Sequence, residues 1–139
     1  MIGIVVVTHG QLGDTLIATT RFIIGSLPEN VVAVSVDLET NPDTLRKHIE
    51  AGIKSVDRKK GILLLTDMFG GTPSNISYSF LEEGHVEVLA GVNLPILIKA
   101  IDSRSGMDLE KLAISLETYG RKSISLASGV LKGSSRGPG

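Results

Sequence analysis

Three short stretches carry side chains able to do chemistry. "VVVTHG" ends an apolar run with Thr8, His9 and Gly10; "LLLTD" ends another with Thr66 and Asp67; "MFGGTPSN" follows at once with Gly70, Gly71 and Thr72. A carboxylate that accepts the Nδ1 hydrogen of an imidazole fixes its tautomer and leaves Nε2 with a free lone pair, as nucleophile or base. Two glycines before Thr72 and Pro73 suit a turn into a helix, with Thr72 as its cap. Backbone amides there, helped by the Thr72 hydroxyl, make a site for phosphate or another anion. A nucleophilic His9, an orienting Asp67 and an anion cradle at Gly70–Thr72 together point to phosphoryl transfer through a phosphohistidine.

Each part alone has a plainer use. A strand-end Asp often caps a loop, a lone His is often only a satisfied polar residue, and "GGTP" marks a turn. Their value lies in sharing one edge of the sheet that must hold them. Short β-branched runs alternate with segments of helical period, the pattern of a parallel sheet covered on both faces. Strands are expected at Ile2–Thr8, Val31–Asp37, Gly61–Asp67 and His85–Gly91. Helices are expected at about Leu12–Ile24, after Asn41 and Pro42, at about Pro73–Glu82, from near Pro95, and at about Asp108–Tyr119. Leu12, Leu16, Ile17, Ile23 and Ile24 would line the buried face of the first helix, and Leu45, Ile49, Ile53 and Val56 that of the second.

The fold class that follows is α/β, a doubly wound, mainly parallel sheet in the order 2-1-3-4 with helices on both faces. Ligands bind such sheets beyond the carboxyl ends of the strands, where the strand order reverses. That crevice lies between strands 1 and 3, so His9 and Asp67 face each other across it. The last run, "SISLAS" at Ser123–Ser128, alternates polar and apolar residues and suits a half-exposed edge strand. One domain, residues 1–131, is expected, with a flexible tail at 132–139.

The totals narrow the function classes. The chain has 139 residues, 42% hydrophobic, with 14 basic and 15 acidic side chains, so no basic excess marks a nucleic-acid binder. With no cysteine, thiolate metal sites and cysteine nucleophiles are excluded. His48 and His85 show no metal-ligand spacing, so neither a metal nor another cofactor is expected. The six-residue N-terminal apolar run is too short for a membrane span, and a cytoplasmic protein without direct membrane insertion is expected.

With "VVVTHGQLGDTL" and "LLLTDMFGGTPSN" in view, the chain resembles the enzyme IIA domain of the mannose-type phosphotransferase system (PTS), from Met1 to about Leu131. The resemblance implies that His9 accepts a phosphoryl group at Nε2 from the carrier protein HPr, with Asp67 as its hydrogen-bonded partner. It implies that Gly70, Gly71 and Thr72 hold the phosphoryl oxygens, with Thr66 adding a hydroxyl. It also implies passage of the group to a IIB domain, or its use as a regulatory signal, and a homodimer that exchanges an antiparallel C-terminal edge strand. Four rivals stand beside it: a non-catalytic anion-binding module, the IIA-like subunit of a dihydroxyacetone kinase, a histidine phosphatase, and a receiver-type phosphoacceptor at Asp67, for which "VVVTHG" supplies no acidic magnesium cluster. The kinase subunit lacks a segment like "DMFGGTPSN". The phosphatases need an Arg where this chain has Thr8.

Overall fold

The computed structural model describes residues 1–133. The strands are β1 (Gly3–His9), β2 (Val31–Val36), β3 (Ile62–Thr66) and β4 (Val86–Ala90). They form one sheet in the order β2-β1-β3-β4 with every ladder parallel, as the alternation of strands and helices requires. The intervening helices are α1 (Leu12–Ile24), α2 (Pro42–Ser55), α3 (Thr72–Tyr78), α4 (Leu94–Ser103) and α5 (Leu109–Lys122), with a short α6 (Ala127–Leu131) after them.

The central strands β1 and β3 are apolar at nearly every position because both their faces are covered. Ile2, Ile4, Val6, Leu63 and Leu65 point into one layer with Leu97 of α4 and Leu112 and Leu116 of α5. Val5, Val7, Ile62 and Leu64 point into the other, against Leu45 and Ile49 of α2. Each large side chain buried there contributes about 1.5–3 kcal/mol relative to exposure. Local signals start the helices: Asn41, Asn93 and Asp108 accept the Thr44, Ile96 and Lys111 amides at 2.8, 2.9 and 2.8 Å.

Three expectations need correction. Helix α1 buries only part of the face its large side chains suggested: Leu16 and Ile17 pack against the core. Leu12, Ile23 and Ile24 are exposed, while Gly13 and Thr20 are buried. A Cβ on Gly13 would stand 3.1 Å from Thr8 Oγ1 and 3.3 Å from the Val6 carbonyl, so the helix approaches the sheet through its smallest residue. Helix α3 ends at Tyr78 rather than Glu82, and its N-cap is Gly71, not Thr72. Finally, Ser123–Ser128 forms no strand among the described residues: a turn and an extended stretch lead into α6. Both alternating apolar side chains, Ile124 and Leu126, are exposed, and the segment does not join the edge strand β4. The expected tail lies largely outside the described residues.

Candidate functional site

His9 is the last residue of β1, paired in register with Val36 of β2. Its neighbour Gly10 leaves the sheet with φ +54°, a left-handed conformation that glycine adopts without steric cost, and donates its amide to the Val36 carbonyl at 2.7 Å. Thr8, fully buried, accepts the Gly13 amide on its hydroxyl at 2.8 Å. Thr8 therefore ties the first turn of α1, whose N-cap is Gln11, to the end of β1, and Thr8 and Gly10 flank the His9 backbone on both sides.

Asp67 follows β3 directly and reaches across to β1. One carboxylate oxygen, Oδ2, accepts both the His9 backbone amide and the His9 ring nitrogen Nδ1, each at 2.9 Å. The His9 side chain is 52% exposed and that of Asp67 only 10%, so the carboxylate is sheltered and the ring stands open. Burial pushes the Asp67 pKa up, but the amide and ring of His9 outweigh it and hold the carboxyl below its ordinary value. An ionised Asp67 accepts from an Nδ1–H, which leaves Nε2 as the ring nitrogen with the free lone pair.

The loop after Asp67 closes the other side of the ring. Gly71 is so near that a Cβ there would lie 3.1 Å from His9 Cε1 and 3.6 Å from Nε2. Gly70 turns with φ +90°, and Thr72 opens α3 with an exposed side chain. Exposed apolar side chains follow the carboxyl ends of the same strands: Leu12 of α1, Leu38 after β2, and Met68 and Phe69 in the loop after β3. Phe69 leans on Tyr78, ring centroids 6.0 Å apart.

The structure thus brings His9, Asp67 and Gly71 into contact, with Gly70 and Thr72 beside them. Thr66 stands apart: it is fully buried, and its hydroxyl makes no hydrogen bond. His48 and His85 are both exposed, His85 at the amino end of the sheet. Among the described residues, no group of three or more His, Cys, Asp or Glu is placed to hold a metal ion. Sequence reasoning overlooked the apolar rim. The signal was there: Met68 and Phe69 directly follow Asp67, in a loop where large apolar residues have no core to fill.

The model of the "PTS system fructose IIA component" family, EIIA-man, matches residues 3–116. This chain belongs to the mannose/fructose-type EIIA family of the phosphotransferase system. The EIIA chain is 30% identical to the PTS fructose-specific EIIA component of Bacillus subtilis, over 92% of this chain and 88% of that protein. It is 35% identical to the PTS mannose-specific EIIAB component of Escherichia coli K12 over 88% of this chain, but spans only 38% of that relative's length. Among solved structures, a phosphotransferase system component EIIA from Streptococcus agalactiae superposes with a TM-score of 0.82 at 29% identity, covering 92% of this chain and 98% of that one. Both site motifs of this EIIA fall inside the matched region.

Proposed function

We propose that this EIIA relays a phosphoryl group through His9 Nε2, taking it from the phosphohistidine of HPr and passing it to a IIB domain or a regulatory target. The observation that carries the reading is the 2.9 Å contact between His9 Nδ1 and a sheltered, ionised Asp67. The Nε2 lone pair forms the new N–P bond as the donor's N–P bond breaks, and the donor imidazole keeps that electron pair. Positive charge grows on the His9 ring as the bond forms, and the Asp67 carboxylate opposite Nδ1 stabilises it. The Gly70 and Gly71 amides and the Thr72 hydroxyl hold the phosphoryl oxygens, and the missing side chain at Gly71 leaves them room.

Two further features suit a macromolecular donor. The ring is open to solvent rather than enclosed, and Leu12, Leu38, Met68 and Phe69 at the same end of the sheet expose apolar surface suited to docking a protein. No described helix is long and apolar enough to cross a membrane. A cytoplasmic setting follows from the proposed exchange with HPr.

The homodimer expected from the family is part of the same proposal. The outer edge of β4 carries a groove of about 250 Å³ between β4 and α5, lined by Leu89, Ile96 and Leu116 and reaching Ile124. Pairing Ser123–Leu126 of a second copy along that edge would cover both the strand and the exposed Ile124.

Intact-mass analysis after incubation with phosphoenolpyruvate, enzyme I and HPr tests the relay. Wild type is expected to gain one acid-labile phosphoryl group and His9→Ala none. An unmodified wild type, with both donors active, would overturn the relay and leave an anion-binding module as the better account.

A further inference from the structure

The end of the sheet opposite His9 holds a cavity of about 540 Å³, within the size range of small-molecule sites. It lies between the start of β1, the loop before β3 and the turn joining α4 to α5. Its lining includes Lys60, Arg104 and Lys111, against a single carboxylate, Asp108. That carboxylate is engaged in capping α5 through the Lys111 amide.

Arg104 is the unusual member. It is 5% exposed, and its guanidinium donates to three backbone carbonyls: Ile2 at 3.1 Å, Asn30 at 3.3 Å, and Glu29. Those contacts tie the start of β1 to the loop before β2; the one carboxylate that acts on the guanidinium, that of Glu29, does so from beyond ion-pair distance. A guanidinium has five N–H donors, so three carbonyls do not exhaust it. Among the described residues no carboxylate lies within ion-pair distance of Arg104, Lys60 or Lys111. Buried charges are ordinarily paired, because desolvation is costly without a partner.

We infer that this cavity is a second binding site, for a compact small-molecule anion carrying two or more negative charges. A phosphate ester and a polycarboxylate share the required chemistry. Arg104 supplies a fixed positive charge in the cavity lining, and the exposed Lys60 and Lys111 supply mobile charge. β1 is seven residues long, six steps of about 3.3 Å, so the site stands roughly 20 Å from the His9 ring. It is chemically separate from the phosphoryl site and does not depend on His9 being a phosphoryl carrier.

The test is a titration of the ¹⁵N-labelled protein with inorganic pyrophosphate and, separately, citrate, followed by amide chemical shifts at constant ionic strength. Saturable shifts at residues 60 and 104–111, with half-saturation at or below about 1 mM, are expected from at least one probe. Pyrophosphate alone would assign the site to phosphate esters, citrate alone to polycarboxylates. The double variant Lys60→Gln, Lys111→Gln leaves the buried Arg104 staple intact and is expected to weaken binding about five- to tenfold. Shifts confined to Gly70–Thr72, absence of saturation with either probe, or unchanged binding by the double variant would each overturn the proposal.

Discussion

Replacing Gly71 by Ala tests the site with a single methyl group. Gly71 has φ −96° and ψ 173°, extended backbone that alanine adopts without strain. The new Cβ would sit 3.1 Å from His9 Cε1, where ordinary contact begins at about 3.4 Å. The ring must retreat by about 0.3 Å, and the 2.9 Å bond from Nδ1 to Asp67 constrains that retreat. Lengthened by the same amount, that bond reaches the roughly 3.2 Å limit of a good N–H···O geometry. The methyl also lies 3.6 Å from Nε2, in the space the proposed transfer assigns to the phosphoryl oxygens. Because misplacement by 1 Å can cost about 100-fold, a loss of about 10- to 100-fold in the rate of phosphoryl acceptance is expected. Stability should hold or rise by up to about 1 kcal/mol, since alanine reduces the freedom of the unfolded chain. Rapid-quench transfer from phospho-HPr, alongside thermal unfolding, separates the two effects. A rate within twofold of wild type in a normally folded variant would refute the argument that Gly71 makes room for the transfer.

Asp67→Asn should abolish the acid sensitivity that this carboxylate contributes. Its pKa is lower folded than unfolded, so its stabilisation is fully present above the unfolded value of about 3.9 and is lost as pH falls through the folded value. Urea unfolding at several pH values should show the variant less stable than wild type near neutrality, with the gap closing in acid; a gap independent of pH would contradict this. Asn41→Ala removes the side-chain cap of α2 and should cost about 1 kcal/mol by the same measurement, with phosphoryl acceptance unchanged. Leu97→Ala empties a fully buried position beneath α4 and should cost about 2–5 kcal/mol. Arg104→Met leaves three carbonyls without their donor; a melting temperature equal to wild type would show that this staple contributes nothing net.

Much of the fold was legible because its signals are local or periodic. Unbroken apolar runs at Ile2–Val7 and Ile62–Leu65 mark strands covered on both faces, and Asn41 before Pro42 marks a helix start from neighbouring residues alone. Placing His9 and Asp67 at carboxyl ends of strands needed only those runs and the 2-1-3-4 order, so their juxtaposition was accessible from sequence. The contacts that make them a site were not. That one oxygen of Asp67 takes both the amide and the ring of His9 depends on the stagger of β1 against β3, which no spacing reveals. The closeness of Gly71 to the ring, the burial of Thr66 and the turning of α1 onto Gly13 are outcomes of packing, where the smallest residue wins the closest approach. Ser123–Leu126 shows the limit from the other side. Its alternation states which residues would face a core, but a strand exists only where another strand offers it hydrogen bonds, and that is decided in three dimensions.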